Sequence, residues 1–437
     1  MNVLLFALGS HGDVHPFVGL GIRLRQRGHH VAVATNEYFK PLVEHAQLEF
    51  IECGTAAEYT KLATNPDLWH PMKSIQAVFH GTARYLRPMY EIARDFAQRD
   101  DAVIVASSLA MGARVAQDKH GFTMASVHLS PSVFQSIHEP PKLPGLSLVS
   151  GWAPLWVMRG LFKFTNVVVD SVIAPQLNEL RRELGLPPVR NILRDYWHAP
   201  QLVIALFPDW FGAKQPDWPA QTRLTGFPLY DEPDLSPISP ELDRFIDAGD
   251  PRMPPIAFTP GSAMWNGRKF FDASVDACVR LNRRGLLLTR HRDHLPETLP
   301  ANVINVHYAP FSQLLPRCAA FVHHAGIGST AQALAAGVPQ LLTPFTHDQP
   351  DNSARVVKLG CGVIVRPSKY TGPRVAAALA RLIDDARVAA TCRDVKSRFA
   401  GVDAIDQTCD LIEQLGAQRS QDRRPVGHNE EALTGTR

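Results

Sequence analysis

No Cys-x-x-Cys pair occurs in these 437 residues, and the six cysteines (Cys53, Cys278, Cys318, Cys361, Cys392, Cys409) stand far apart. That spacing argues against a zinc site or a disulfide framework and fits a reducing compartment. An excess of one charge is missing too. Against 42 Asp and Glu there are 45 Lys and Arg, a net charge of +3 that gives no reason to expect a nucleic-acid partner. Nor is there a run that spans a bilayer: the longest uncharged apolar stretch, LPGLSLVSGWAPLWVM (143–158), falls short of the roughly 20 residues needed and contains Pro and Gly. The start, MNVLLFALGSHGD, has no basic segment before its short apolar run and does not read as a secretory signal. A soluble, cytoplasmic protein is expected, with a middle region able to touch the inner-membrane surface or a partner enzyme.

What is present is alternation. NVLLFAL (2–8) is fully apolar, as a strand buried on both faces should be, and a glycine-rich turn and the helical text PFVGLGIRLRQRG follow it. HVAVAT, LEFIEC, AVIVASS, FTMASV and QLVIALF repeat the strand pattern with helical stretches between. The alternation restarts at PIAFTP (255–260) and continues through LLLT, NVINV, AAFVHH, QLLTP and GVIV. The fold class expected is α/β, with two Rossmann-like doubly wound domains facing across a cleft. The N-terminal domain is assigned to 1–225, a proline-rich linker to 226–241 and the C-terminal domain to 242–417, whose last helices can pack back on the first. The polar tail 418–437 reads as disordered.

The densest chemical signal is FVHHAGIGSTAQALAAGVPQLLTPFTHDQPDN (321–352). A strand there delivers a helix amino end, whose free N–H groups and positive dipole end suit phosphate. Gly326 and Gly328 let the backbone approach oxygen, Ser329 and Thr330 add hydroxyls, and His324 adds an N–H. The plainer reading is a tight turn with Ser329 as helix cap. Asp348 and Gln349, after the next strand, can read adjacent hydroxyls of a sugar ring, since a carboxylate accepts and an amide both donates and accepts. Phosphate donors beside a polyol reader describe a nucleoside-diphosphate sugar.

H-x-G-x-G-S-T, GVPQ and P-x-x-x-DQ-x-x-N in this order resemble the donor-binding signature of the family 1 (GT-B) glycosyltransferases. The resemblance implies His324 on the diphosphate, Gly328, Ser329 and Thr330 cradling it, and Asp348 and Gln349 on the sugar. It also implies Gly261 and Ser262 near phosphate and Tyr308 stacked on the base. It implies transfer with inversion, no metal, and no cofactor beyond the sugar nucleotide. In GSHGDVHP (9–16) the position of Asp13 matches the family's general base, with His11 and His15 beside it. An ordinary carboxylate, pKa near 3.9, is ionised but weakly basic at neutral pH. Residues 131–170 carry Phe134, Trp152 and Trp156, which line an acceptor pocket if that segment reaches the cleft and are core if it does not. A lipid-like hydroxylated acceptor is expected.

NPDLWHP, LFPDWFGAKQPDWP, LTGFPLYD and LGCGVIV further resemble the rhamnosyltransferases of rhamnolipid synthesis. That resemblance implies L-rhamnose moved from dTDP-rhamnose to a 3-(3-hydroxyalkanoyloxy)alkanoate. The rivals are a UDP-glucose-dependent glucosyltransferase acting on a sterol, carotenoid or polyketide, a non-catalytic sugar-nucleotide sensor, and a sugar-nucleotide epimerase.

Overall fold

The computed structural model describes residues 1–70, 73–142, 154–232, 238–248, 250–261 and 267–422. Among the described residues, thirteen strands form two parallel sheets. The first holds β1 (Asn2–Phe6), β2 (His30–Thr35), β3 (Glu49–Glu52), β4 (Ala102–Ser107), β5 (Met124–His128), β6 (Leu202–Ala205) and β7 (Thr222–Leu224), in the order β3-β2-β1-β4-β5-β6-β7. The second holds β8 (Ile256–Thr259), β9 (Gly285–Leu288), β10 (Val303–Val306), β11 (Ala320–His323), β12 (Gln340–Leu342) and β13 (Gly362–Ile364), in the order β10-β9-β8-β11-β12-β13. These are the two parallel α/β sheets that the alternating text predicts.

The order of the strands places the loops. β1 lies between β2 and β4, with Asn2 opposite both His30 and Ala102, and β8 lies between β9 and β11. Chain direction across each sheet reverses at these strands, which opens a crevice at their carboxyl ends. Helices cover both faces, so Leu4, Leu5, Ile104, Phe258 and Phe321 are wholly enclosed. Truncating one of these to Ala is expected to cost about 2–5 kcal/mol.

Several elements depart from the sequence reading. β7 was not anticipated. A long helix begins at Leu155 and runs 29 residues to Glu183. Between β3 and β4 stand two further helices, Ser74–Ala83 and Leu86–Phe96. The last helix, Ala404–Asp422, enters the stretch read as a disordered tail, and the rest of that tail lies outside the described residues.

That last helix lies against the first sheet's lobe. Arg27 reaches Asp406 at 2.7 Å, Asp410 at 2.7 Å and Glu413 at 3.0 Å, and Thr408 donates to the Thr225 hydroxyl at 2.9 Å. Elsewhere the lobes are clasped by the buried pair Arg355–Asp351. Asp351 Oδ2 accepts from Arg355 Nε at 2.7 Å and Oδ1 from the Lys142 N–H at 2.9 Å, while Arg355 Nη1 donates to the Phe211 carbonyl at 2.9 Å. Ser74 and Thr346 join their hydroxyls across the same boundary at 3.0 Å.

Candidate active site

In the second lobe, β11 ends at His323 and the chain turns sharply. Ala325 adopts φ 69°, a left-handed conformation uncommon for a residue with a side chain. His323 holds it there: its Nδ1 accepts from the Ala325 N–H at 3.1 Å and its Nε2 pairs with Gln340 Oε1 at 3.0 Å. The helix then opens at Ile327 with Gly326 as its cap, so Ser329 lies inside the first turn and is not the cap. Its first backbone bond is Thr330 N–H to the Gly326 carbonyl, 3.0 Å. The N–H groups of Ile327, Gly328 and Ser329 therefore precede the first intrahelical bond and are the ones free to meet an anion. A methyl group added to Gly328 would touch nothing, so the space above it is open.

His324 lies over this turn. A Cβ on Gly261, whose φ is +98°, would fall 2.7 Å from its ring, and one on Gly326 would fall 2.5 Å from its Nε2. Only glycines let the loops after β8 and β11 close on one imidazole. Burial lowers the His324 pKa to about 4, so the ring is neutral near pH 7 and offers one N–H. Thr330 is fully buried, and its hydroxyl has no hydrogen-bond partner among the described residues.

After β12, His347 adopts φ 58° and the chain enters the helix Gln349–Leu359. Asp348 stands at the cap position, yet its carboxylate caps no N–H; Oδ2 accepts instead from Asn352 Nδ2 at 2.7 Å. The same amide nitrogen donates to the Ala325 carbonyl at 3.0 Å. Asn352 therefore ties the phosphate-type turn to the sugar-type carboxylate, a role the sequence reading missed although it quoted the residue within its motif. Burial raises the Asp348 pKa to about 7, Asn352 opposes the rise, and the Asp13 charge adds to it. Gln349 is half spent on structure. Its Oε1 accepts from the Phe345 and Thr346 N–H groups at 2.8 and 3.2 Å, which leaves only its amide nitrogen for a ligand.

In the first lobe, the loop after β1 feeds the helix His11–Gln26. Asp13 turns back to this helix's start, where Oδ2 accepts from the Ser10 N–H at 2.7 Å and from its hydroxyl at 2.9 Å. Gly9, at φ +132°, makes room, for a Cβ there would fall 2.4 Å from Asp13 Oδ2. Ser10's two donors favour the carboxylate, but burial outweighs them and the Asp13 pKa is raised. Asp13 is thus more basic than the ordinary carboxylate assumed from sequence. Its charge helps raise the Asp348 pKa, an electrostatic link between residues of different lobes.

The remaining expected residues divide. His11 packs edge-on against Tyr38 and Phe39, with its pKa lowered to about 4 by burial. His15 Nε2 meets Glu232 Oε1 at 2.9 Å, an acidic partner from the crossover that the sequence did not announce. Tyr308, expected on the base, donates its hydroxyl to the Asp231 carbonyl at 2.8 Å and carries the Arg290 guanidinium on its ring at 5.5 Å. Phe134 is core, not pocket: it is 2% exposed and stacks on Trp218 at 4.2 Å and on His198 at 5.3 Å. Trp156 is 75% exposed on the outer side of the long helix, whose inner side is buried. Ser262 and Trp152 lie outside the described residues. No helix among the described residues is long and apolar enough to cross a membrane.

Two parallel sheets with these loops at their switch points make the GT-B fold, and the loops are its candidate active site. Residues 3–138 match the glycosyltransferase family 28 N-terminal domain, and residues 275–403 match the erythromycin biosynthesis protein CIII-like C-terminal domain. The O-mycaminosyltylonolide 6-deoxyallosyltransferase of Streptomyces fradiae is 30% identical over 97% of this chain and 100% of its own length. The chain belongs to the GT-B glycosyltransferase family of that enzyme, and it is a glycosyltransferase that uses a nucleoside-diphosphate sugar. In fold it is similar to the kitacinnamycin glycotransferase (TM-score 0.72, 20% identity, 95% of this chain and 98% of the other). It is likewise similar to SsfS6 of Streptomyces sp. SF2575, solved with thymidine diphosphate (TM-score 0.62, 22% identity, 95% and 99%).

Proposed function

We propose that this enzyme moves a deoxysugar, with inversion, from a dTDP-sugar to a hydroxyl of a polyketide-type aglycone. The observation that carries this reading is Asn352 joining Asp348 to the donor turn, and it is supported by the charge of Asp13, from the other lobe, acting on Asp348. The diphosphate is moored on the N–H groups of Ile327, Gly328 and Ser329 and on His324. Asp348 accepts sugar hydroxyls, and the Gln349 amide donates to a third. Asp13, from the opposite lobe, orients the acceptor hydroxyl and takes its proton as the new bond forms. Its raised pKa suits that task better than a free carboxylate would.

The donor nucleotide follows the first sequence reading and the acceptor class follows the second. A relative at 30% identity named for glycosylating O-mycaminosyltylonolide, and a fold neighbour solved with thymidine diphosphate, support that combination. Neither relative's name supports a rhamnolipid acceptor, so rhamnosyl transfer to a hydroxyalkanoyloxy-alkanoate stands behind it.

The test is mass spectrometry of products from crossed panels. The donors are dTDP-6-deoxysugars, dTDP-rhamnose and UDP-glucose; the acceptors are macrolide and aromatic polyketides, sterols and hydroxyalkanoyloxy-alkanoates. Glycosylated polyketide from a dTDP-deoxysugar is expected. Product confined to the hydroxy-lipid would restore the rhamnolipid reading, product confined to UDP-glucose would overturn the donor assignment, and an altered sugar nucleotide without acceptor would indicate epimerisation. Donor binding without turnover on any acceptor would favour a sensor.

A further inference from the structure

The donor turn is rich in hydrogen-bond donors and holds no full charge. A helix amino end counts as roughly half an elementary charge, and His324 is neutral near pH 7. When the sugar leaves, the diphosphate keeps the bonding electrons and gains negative charge. A cation aimed at those oxygens is the component that the turn does not provide.

Other arginines near the lobe boundary are committed elsewhere. Arg355 is held by Asp351 and the Phe211 carbonyl, Arg27 by Asp406, Asp410 and Glu413, and Arg317 by Asp243 and Asp247. Arg290 is not. It follows β9, the strand beside β8, and so stands at the same sheet edge as Gly261 and His324. It is exposed and makes no hydrogen bond or ion pair among the described residues. Its guanidinium carbon rests 5.5 Å from the centre of the Tyr308 ring, and that ring is fixed by its hydroxyl on the Asp231 carbonyl at 2.8 Å. The charge reaches the first lobe, since it helps lower the pKa of both His11 and Glu232. Glu232 is its anionic competitor, and His15 already occupies that carboxylate at 2.9 Å.

We propose that Arg290 is a catalytic residue that binds the donor diphosphate and stabilises its departure, with Tyr308 as the platform holding the guanidinium in the cleft. The inference rests on the nucleotide-sugar reading above. In the step itself the acceptor oxygen bonds to the anomeric carbon, the bond from that carbon to the diphosphate oxygen breaks with its electron pair going to the oxygen, and the hydroxyl proton passes to Asp13. Nothing is oxidised or reduced. Arg290 pairs with the charge that appears on the diphosphate.

Calorimetric titration of the whole protein with dTDP and with thymidine, joined to steady-state kinetics, tests this. Arg290→Ala should weaken dTDP by about 10- to 100-fold, the range for losing a charge-assisted bond, and leave thymidine binding unchanged. It should also lower kcat, while Arg290→Lys recovers part of both losses. Equal loss of dTDP and thymidine would make Arg290 a base-stacking or structural residue and overturn the proposal. Unchanged dTDP binding and kcat in Arg290→Ala would sink this inference and leave the transferase reading intact. Failure of the unmodified protein to bind dTDP would overturn the dTDP reading, and this inference with it.

Discussion

The loop after β1 and the loop after β11 hold equivalent places at the carboxyl ends of central strands, yet they use their polar groups differently. In the first, the groups are answered from within: Asp13 by Ser10, His15 by Glu232, His11 by aromatic neighbours. In the second, the first-turn N–H groups of Ile327, Gly328 and Ser329 come before any intrahelical bond, and His324 Nδ1 and Asn352 Oδ1 are buried without a protein partner. Buried polar atoms left that way cost about 1–3 kcal/mol each. The second loop leaves polar groups without protein partners, whereas the first holds one carboxylate in a fixed pose. A transferase needs both, because binding the donor and taking a proton from the acceptor set opposite demands on satisfied and unsatisfied groups.

Breaking the first loop should show the largest effect. Asp13→Asn keeps the shape and can still accept from Ser10, but it cannot take a proton. A fall in kcat of about 10²- to 10⁴-fold is expected, with donor KM little changed, as measured by initial rates over a donor series. Near-normal kcat would remove Asp13 from the chemistry.

The clasp between the lobes comes next. Asp351 is 2% and Arg355 8% exposed, so Arg355→Ala leaves a buried carboxylate without its cation. About 3–5 kcal/mol of stability should be lost, read from urea unfolding. A loss below 1 kcal/mol would mean the lobes are held by other contacts.

Asn352→Ala is the finer cut. It detaches the donor turn from Asp348 and removes a bond that favours the carboxylate form. A loss of about 1.5–3 kcal/mol in donor binding is expected for a hydrogen bond to a charged group. The Asp348 midpoint should also rise above its value of about 7. With a folded pKa raised from 3.8 to about 7, Asp348 keeps a proton that the unfolded chain releases. Its contribution to stability is therefore fully present below the unfolded value and is lost as pH climbs towards the folded one. Asn352→Ala should extend that window upward, and a thermal-unfolding series against pH would reveal it.

Parts of this site were legible in the sequence because they are local. A strand, a glycine-bearing turn and a helix lie within a few residues around His324, and Asp348–Gln349 follow the next strand. Backbone chemistry alone restricts what such segments become. The exceptions have equally physical causes. The helix starts at Ile327 because Gly326 already takes the extended cap conformation, which places Thr330 inside the first turn, fully buried. Phe134 and Trp156 belong to one aromatic-rich stretch, yet one is sealed between Trp218 and His198 and the other stands in solvent. Composition does not carry that distinction. Glu232 meeting His15, Lys142 meeting Asp351 and Arg290 lying on Tyr308 join distant segments or side chains across neighbouring strands, so no pattern along the chain announces them.

The most direct measurement is the titration of Asp348, followed by carboxyl-carbon NMR, in the unmodified protein and in Asp13→Asn. If the two carboxylates face one cleft, removing the charge of Asp13 lowers the Asp348 midpoint from about 7 towards the ordinary carboxylate range. An unmoved midpoint would mean that the two lobes do not bring donor grip and base together.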